Sequence, residues 1–223
     1  VALDDRYRRT DRRRRTNQRV GLSMNFETFE PIYEAILEDF GFDRRADERS
    51  RDVAAARATP FPMSRFDGWV DATVAIVGAA PCLTTELDRV RSADIVVAAS
   101  TAVDVLSANY IAVDCMVTDL DKNPETAAAR TDAGLPVVAH AHGDNVPAVR
   151  EWLSRFDSDH TMVTTQAAPV GAVQNVGGFT DGDRAAFLAD HVGAGRLTFP
   201  GWAFDDPAVG PMKARKLEWA AML

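Results

Sequence analysis

Six short apolar runs, rich in valine and isoleucine, recur between residues 73 and 200 and constrain the fold more than any other feature. Each is followed by a polar or glycine-bearing turn and then by an amphipathic stretch, which is typical of α/β proteins. Their near-continuous hydrophobicity indicates parallel strands covered on both faces. We therefore predict an α/β fold with an open, mostly parallel, doubly wound sheet of about six strands. The predicted strands span residues 73–78, 94–99, 115–118, 136–139, 161–165 and 196–200, and the predicted helices 83–91, 102–108, 124–132, 146–156, 181–192 and 212–223.

Two further helices are predicted ahead of the first strand. Apolar residues from Phe26 to Phe40 recur at helical spacing and stop at Gly41, and residues 43–59 have the pattern of a second, more polar helix. The pattern changes to strands after the prolines at positions 60 and 62. We therefore divide the chain into an N-terminal helical segment over residues 24–62 and an α/β domain over residues 63–223.

The first 23 residues have a composition of their own, with eight arginines, three aspartates and few apolar side chains. Such a block cannot bury enough surface to offset its ordering entropy, so we expect a disordered basic extension. It is either a nucleic-acid-binding arm or an upstream extension from a misplaced start. The second interpretation is favoured, because Met24 opens the first predicted helix.

The net charge of −8 divides into +5 on residues 1–23 and −13 on the rest of the chain. The whole chain uses Asp over Glu, 24 against 9, and Arg over Lys, 22 against 3. This balance is typical of salt-adapted proteins, in which dense surface carboxylates maintain solubility. An acidic body repels nucleic acid, so we do not expect nucleic acid as a partner.

Composition also bears on location and on the cysteines. No apolar run approaches the roughly 18 residues that span a bilayer, and the arginine-rich start is not followed by an apolar signal segment. We expect a cytoplasmic protein that does not bind membranes, and a homo-oligomer is left open. Cys82 and Cys115 lie in apolar stretches that fit no metal-ligand spacing, so we predict buried free thiols.

Polar residues are concentrated directly after the predicted strands. Ligands of an open parallel sheet bind outside the carboxyl ends of its strands, so these residues are the candidates for a site. They are Asp119, Asp121, His140, His142, Asp144, Asn145, Thr165 and Gln166, followed before the last strand by Gly177, Gly178, Thr180, Asp181, Asp183 and Arg184.

The pair Asp119 and Asp121 can direct both carboxylates toward one hard cation where the chain turns away from a strand. Mg²⁺ is typically held by one or two carboxylates together with substrate phosphates, which points to a metal-bridged polyphosphate. Chance is the alternative, since an Asp-rich chain produces such pairs in surface loops. His140 and His142 lack a third zinc ligand at useful spacing, so hydrogen bonding to phosphate or packing at a strand end is favoured over a zinc site.

Asp181 and Asp183 repeat the paired arrangement at the start of a predicted helix. Thr180 and Asp183 have the spacing of a capping box, and capping alone could explain them. It does not explain Gly177 and Gly178, which would let backbone amides approach phosphate oxygens at a helix N-terminus. Because the chain has no P-loop and no dinucleotide-binding glycine motif, any ATP chemistry would use a carboxylate-held metal.

Four ordered motifs resemble the archaeal 6-hydroxymethyl-7,8-dihydropterin pyrophosphokinases: VTDLD at 117–121, HAHGDN at 140–145, TTQ at 164–166 and GGFTDGDRA at 177–185. The similarity runs from about residue 74 to Lys213 and Lys216. It implies a catalytic fold like that of thiamine pyrophosphokinase, in the α/β domain. It also implies transfer of diphosphate from ATP to a pterin hydroxymethyl group with release of AMP, a requirement for Mg²⁺, and a place in the synthesis of tetrahydromethanopterin or folate-type cofactors.

The resemblance also implies roles for individual residues. Asp119, Asp121, Asp183 and Arg184 would be catalytic, and Asp119, Asp121, Asp181 and Asp183 would hold metal. Arg184 and Lys213 would contact phosphate, although an exposed Arg184 paired with a neighbouring carboxylate is an equal alternative. The implied substrate-binding residues are Gly78, Pro81, His140, His142, Asp144, Asn145, Thr165, Gln166, Gly177, Gly178, Thr180 and Lys213.

Three positions depart from the family pattern. Cys82 replaces a serine after a turn that has also lost a glycine, Ser100 and Thr101 stand where Asp and Gly are expected, and Ala203 stands where an aspartate is expected. These losses leave two alternatives open. The same fold could act on thiamine or a sugar, or the chain could bind nucleotide or pterin without turnover.

Overall fold

A parallel sheet of six strands organises the computed structural model, which describes residues 24–223. The strand order is β5-β4-β3-β2-β1-β6, and every neighbouring pair is parallel. The strands are β1 (Thr73–Val77), β2 (Ile95–Ala99), β3 (Cys115–Thr118), β4 (Val137–Ala141), β5 (Thr161–Thr165) and β6 (Arg196–Thr198). The predicted α/β fold with an open parallel sheet is confirmed. The predicted basic extension, residues 1–23, lies outside the described residues.

Eight α-helices accompany the sheet in the described part of the chain. They are α1 (Phe26–Phe40), α2 (Arg44–Ala55), α3 (Leu87–Arg91), α4 (Ala102–Ala108), α5 (Pro124–Asp132), α6 (Val146–Trp152), α7 (Asp181–His191) and α8 (Pro211–Met222). Short 3-10 helices cover Met63–Trp69, Pro81–Thr85 and Ser158–His160. No helix within residues 24–223 is both long enough and apolar enough to cross a bilayer.

Both faces of the sheet are covered. One core cluster joins the strands to residues of α2 through α6, and a second joins the opposite face to α7 and to the segment Met63–Trp69. Strands β3 and β5 are buried at every position, as expected for parallel strands that are covered on both faces. The helical segment shares this core, because Ala54 of α2 packs into the first cluster.

The topology gathers the predicted site residues at one edge. From β1 to β5 each strand is placed beside the previous one in the same direction, and the chain then returns across the other face through α7 to β6. The carboxyl ends of β3, β4 and β5 therefore lie on the same side of the sheet as the N-terminus of α7. This is the edge at which ligands of open parallel sheets bind.

Local signals set most of the element boundaries. The Asn25 side chain caps α1 by accepting a hydrogen bond from the Thr28 amide, and Gly41 ends the helix with a left-handed φ of 67°. The predicted strand 136–139 differs, because β4 continues to Ala141 and places His140 inside the sheet. Helix α6 ends at Trp152 rather than at residue 156.

The predicted helix 83–91 is divided into the 3-10 helix Pro81–Thr85 and α3. The hydroxyls of Thr84 and Thr85 donate to the backbone oxygens of Pro81 and Cys82, and such local bonds compete with regular helix formation. Both cysteines are free, as predicted, but only Cys115 is buried, whereas Cys82 is partly exposed.

Candidate active site

A pocket lies where the carboxyl ends of β3, β4 and β5 meet the N-terminus of α7. Residues of the helical segment and of α8 complete its wall. Seven predicted site residues line it: Asp119, His142, Asp144, Gln166, Thr180, Asp181 and Arg184. The remaining lining residues are Phe42, Asp43, Ala46, Asp47, Gly143, Phe179 and Lys216. The structure thus brings together predicted site residues from three separate connections of the sheet, those that follow β3, β4 and β5.

Asp119 and Asp121 occupy a tight turn directly after β3. Leu120 has a left-handed φ of 67°, and its amide donates to the Thr118 hydroxyl at 3.0 Å. The Asp121 amide donates to Asp119 Oδ1 at 3.2 Å. Because Leu120 is buried in the core, the turn is anchored and the two carboxylates are held next to each other.

The carboxylates of Asp119, Asp121 and Asp181, which we term the carboxylate cluster, perturb one another. Burial opposes ionisation of Asp119, but hydrogen bonds from His142 and Asp121 outweigh it and hold the pKa of Asp119 well below its usual range. Partial burial and the Asp119 carboxylate raise the pKa of Asp121 to about 6. Burial and the charges of Asp119 and Asp121 raise the pKa of Asp181 to about 8. A cation would relieve this repulsion.

Arg184 faces the carboxylate cluster from α7. One guanidinium nitrogen lies 3.1 Å from Asp181 Oδ1, and another donates to the Phe179 carbonyl at 2.9 Å. The side chain is buried, and its Nε has no hydrogen-bond partner among the described residues. Arg184 is therefore paired with a carboxylate, as one alternative predicted, but it is not the exposed helix residue of that alternative.

Asp183 caps helix α7. Its Oδ1 accepts from the Thr180 amide at 2.5 Å and the Thr180 hydroxyl at 2.7 Å, and its Oδ2 accepts from the Phe179 amide at 3.0 Å. The capping box predicted from the spacing of Thr180 and Asp183 is confirmed. These donors, together with the burial of Asp183, leave its carboxylate little capacity for a metal.

Gly178 is required by the same helix start. Its φ is 92°, and a Cβ at this position would lie 2.4 Å from the Arg184 Cα. The neighbouring Gly177 also has a φ of 92°, and its amide donates to Asn175 Oδ1 at 2.8 Å. The glycine pair thus allows the backbone to turn closely over α7.

His140 and Asn145 hold the loops around the site. His140 is buried in β4, its Nδ1 lies 3.0 Å from the Thr164 hydroxyl, and burial together with the charges of Arg184 and His142 lowers its pKa well below the usual value. The Asn145 amide nitrogen donates to the backbone oxygens of Asp119 at 2.6 Å and His140 at 2.7 Å. These contacts fit packing at a strand end better than contact with phosphate.

Other predicted substrate-binding residues lie elsewhere or have internal partners. Gly78 and Pro81 follow β1 and do not line the pocket. Thr165 is buried, and its hydroxyl accepts from the Ala167 amide at 3.2 Å. Lys213 lies on α8, one turn before Lys216 of the pocket wall.

The three lysines of the chain, Lys122, Lys213 and Lys216, form a second charged group, which we term the lysine cluster. Lys216 lines the pocket and lies 5.7 Å from the centre of the Phe179 ring. Partial desolvation and the charges of Lys122 and Lys216 lower the pKa of Lys213, although its side chain is exposed at the surface. Within the described chain, arginines and histidines form the ion pairs with carboxylates, and these lysines form none.

Sequence reasoning missed the contribution of the helical segment. Phe42, Asp43, Ala46 and Asp47 line the pocket, although they precede the first strand by some 30 residues. One sequence signal was available: Asp47 and Ser50 recur at helical spacing with Ala54, on the face of α2 that the structure buries. A carboxylate on the buried face of a helix needs partners in the fold.

Comparison with known proteins gives a consistent result. Residues 55–207 match the family model described as "6-hydroxymethylpterin diphosphokinase MptE-like". The chain is 39% identical to the "6-hydroxymethyl-7,8-dihydropterin pyrophosphokinase" of Methanothermobacter thermautotrophicus, with 86% of this chain and 90% of that protein covered. The protein of the same name from Pyrococcus furiosus is 34% identical, with 81% of this chain and 79% of that protein covered. The one from Methanocaldococcus jannaschii is 29% identical, with 90% of this chain and 94% of that protein covered.

Proposed function

Because the chain belongs to the 6-hydroxymethylpterin diphosphokinase MptE-like family, we propose that it transfers diphosphate from ATP to the hydroxymethyl group of 6-hydroxymethyl-7,8-dihydropterin and releases AMP. The activity would be that of a 2-amino-4-hydroxy-6-hydroxymethyldihydropteridine diphosphokinase. The product would serve the synthesis of tetrahydromethanopterin or folate-type cofactors.

The arrangement of charge in and around the pocket carries this proposal. The carboxylate cluster (Asp119, Asp121, Asp181) and the lysine cluster (Lys122, Lys213, Lys216) are near enough to influence each other's ionisation, as the pKa effects on Asp121 and Lys213 indicate. Each cluster retains repulsion between like charges. A polyphosphate with a bound divalent cation presents negative oxygens to the lysines and positive charge to the carboxylates, so it would neutralise both.

The residues present fit Mg²⁺. The mutual repulsion that raises the pKa values of Asp121 and Asp181 is of the kind that a divalent cation removes. Within residues 24–223, no three His, Cys, Asp or Glu side chains are grouped as a metal site. In the proposed complex, Mg²⁺ would be held by carboxylates together with substrate phosphates, as is usual for this ion. We propose the adjacent carboxylates Asp119 and Asp121 as ligands, with Asp181 as a third that would have to lose its proton to join them, and leave Asp183 to its helix cap. When bound, Mg²⁺ neutralises the charge on the phosphate oxygens.

In the reaction, the acceptor hydroxyl oxygen forms a bond to the β-phosphorus of ATP. The bond between that phosphorus and the oxygen bridging to the α-phosphorus breaks, so AMP leaves with the bridging oxygen and the hydroxyl proton is lost to solvent. Lys213 and Lys216 bind the phosphate oxygens, and Arg184 fixes the position of Asp181. The contribution of this chain is mainly orientation and charge, as in other phosphoryl transfers.

The deciding experiment measures AMP release by the purified chain with ATP, Mg²⁺ and the dihydropterin. We expect AMP in stoichiometric yield with the pterin diphosphate, and none when EDTA replaces Mg²⁺. Thiamine and a nucleotide sugar are run in parallel, because carboxylates expected at positions 100 and 203 are replaced by Ser100 and Ala203. AMP release with thiamine alone would reassign the acceptor, and cleavage of the nucleotide sugar, which is a glycosyl donor, would reassign the reaction. ATP binding by calorimetry without AMP would indicate a protein that binds and does not turn over.

The Asp119→Asn variant tests the carboxylate cluster. The amide oxygen of Asn can still accept from the Asp121 amide, so we expect the fold to be kept, but a neutral amide is a poor ligand for a hard cation. Turnover should fall by about a hundredfold or more. Asp132→Asn, at an exposed position at the end of α5, is the matched control. An Asp119→Asn variant with the rate and Mg²⁺ dependence of the unmodified chain would remove Asp119 from the mechanism.

A further inference from the structure

Helix α2 presents two buried polar side chains, Asp47 and Ser50, to the edge of the sheet that carries the pocket. Asp47 is 3% exposed and Ser50 is fully buried. A buried carboxylate and a buried hydroxyl are costly unless both are hydrogen-bonded. Their partners therefore show what this face of α2 holds in place.

Asp47 accepts three hydrogen bonds from three different parts of the chain. Its Oδ1 accepts from the Gly143 amide at 2.7 Å. Its Oδ2 accepts from Gln166 Nε2 at 2.8 Å and from the Tyr33 hydroxyl at 2.7 Å. Two of these donors, Gly143 and Gln166, line the pocket at the ends of β4 and β5. The third ties α2 to α1.

The loop of residues 142–145, which joins β4 to α6, lies directly on α2. The Ser50 hydroxyl donates to Asn145 Oδ1 at 3.1 Å, and the same oxygen accepts from the His142 amide at 2.9 Å. A Cβ added to Gly143 would lie 2.7 Å from the Ala46 Cβ, so the loop backbone approaches α2 as closely as glycine permits. This loop carries His142, whose Nε2 lies 3.7 Å from Asp119 Oδ2.

We propose that α2 positions the catalytic edge of the sheet through two positioning residues, Asp47 and Ser50. Together they fix the 142–145 loop and thereby hold His142 beside Asp119. Asp47 also orients the Gln166 amide. The inference rests on the proposed function, which it deepens. The segment that matches the family model begins at residue 55, so Asp47 and Ser50 precede that segment.

The orientation of Gln166 follows from the donors around Asp47. Because Gln166 Nε2 is held by Asp47, its Oε1 is turned away from α2 as an acceptor. In Asp47→Asn, the new amide must keep its oxygen toward the Gly143 N–H, which cannot reverse. The Asn NH₂ then faces the Tyr33 hydroxyl, which can rotate to accept, and Gln166, whose amide must flip to accept from it. Asn thus conserves the packing but reverses the Gln166 side chain.

The experiment compares kcat and KM for AMP release among four variants. Asp47→Asn should lower kcat at least tenfold and raise KM for ATP about fivefold, because the loop and the Gln166 side chain that it positions line the pocket. The double variant Asp47→Asn, Gln166→Glu should have a kcat at least threefold higher than that of Asp47→Asn. In the double variant the Asn NH₂ donates to a carboxylate, whose second oxygen is again an acceptor. Ser50→Ala should lower kcat by about threefold to tenfold. Asp52→Asn, exposed on the same helix, should stay within twofold of the unmodified chain.

Three results would overturn the inference. The first is a folded Asp47→Asn with kcat within twofold of the unmodified chain. The second is a loss of kcat in Asp47→Asn that equals the unfolded fraction measured by circular dichroism and that Gln166→Glu does not recover. A merely structural role of Asp47 predicts both of these observations. If Asp47→Asn does not fold, Ser50→Ala decides, and a kcat within twofold is the third.

Failure of the proposed function would be recognised separately, because the unmodified chain would then release no AMP. In that case binding of Mg·ATP by calorimetry replaces turnover as the readout. We expect Asp47→Asn to bind Mg·ATP at least fivefold more weakly than Asp52→Asn. Equal affinities would overturn the positioning role.

Discussion

At the scale of single residues, Asp181 is, within residues 24–223, the carboxylate whose ionisation the fold opposes most. Burial and the charges of Asp119 and Asp121 raise its pKa from 3.8 to about 8, although Arg184 favours the charged form. The folded chain therefore holds this proton more tightly than the unfolded chain does. It follows that the contribution of Asp181 to stability is fully present below about pH 4 and is lost as pH rises toward about 8.

We expect Tm without Mg²⁺ to fall between pH 5 and pH 8 by several degrees more in the unmodified chain than in Asp181→Asn, which has no proton to lose at this position. Asp190→Asn, exposed on the same helix, should show the same dependence of Tm on pH as the unmodified chain. Thermal unfolding followed by circular dichroism measures all three. Parallel slopes for the unmodified chain and Asp181→Asn would show that Asp181 titrates normally.

Asp183 differs from its neighbour because its oxygens are occupied by donors of the helix cap. The cap alone, at an exposed helix start, predicts a cost of at most about 1 kcal/mol for Asp183→Asn. The structure predicts a larger cost, because Asp183 is buried and the NH₂ group of an Asn would face a backbone amide that also donates. We expect a loss of about 1–3 kcal/mol in the free energy of unfolding, measured in urea, with Mg²⁺ dependence of turnover unchanged. A changed Mg²⁺ requirement in a stable variant would return Asp183 to the metal site.

At the scale of elements, the ends of β1 and β6 are joined through glycine. The Gly78 amide donates to the Pro200 carbonyl at 3.0 Å, and a Cβ on Gly78 would lie 2.4 Å from the Gly201 oxygen. The glycine predicted to contact substrate thus lies where two strand ends meet backbone to backbone.

We expect Gly78→Ala to destabilise the chain by about 1–3 kcal/mol, because the backbone must move to admit the methyl group. Gly68→Ala is the matched control: Gly68 is exposed, a Cβ there meets nothing within 4 Å, and its φ is not left-handed. Its effect should lie between neutral and about 1 kcal/mol stabilising. Denaturant unfolding compares the two. Equal stabilities would mean that the β1 and β6 ends separate freely.

At the scale of the whole molecule, the charge of −13 on residues 24–223 sets the response to salt. The Debye length falls from about 30 Å at 0.01 M to about 3 Å at 1 M, so salt screens the repulsion among the carboxylates. We expect Tm to rise with KCl from 0.1 to 2 M, most steeply below about 0.5 M, where screening changes most. A constant Tm over this range would contradict salt adaptation.

The sequence by itself determined the features that depend on near neighbours. The period of apolar residues specified the strands and helices, Asn25 and Gly41 marked the ends of α1, and the Thr180–Asp183 spacing specified the cap of α7. Strand ends of a parallel sheet share one edge, so the positions of Asp119 and Asp181 in one pocket also followed from the sequence.

Only the tertiary structure decided which partners these groups have. Asp47 meets Gly143 and Gln166 about 100 residues away, and the lysine cluster joins the turn after β3 to α8. Such contacts depend on how a helix packs on the sheet, which no local period encodes. The same packing places Gly78 in a backbone contact between strand ends, outside the lining of the pocket. Local sequence patterns specify helices and strands, whereas burial and long-range hydrogen bonds decide which contacts each side chain makes.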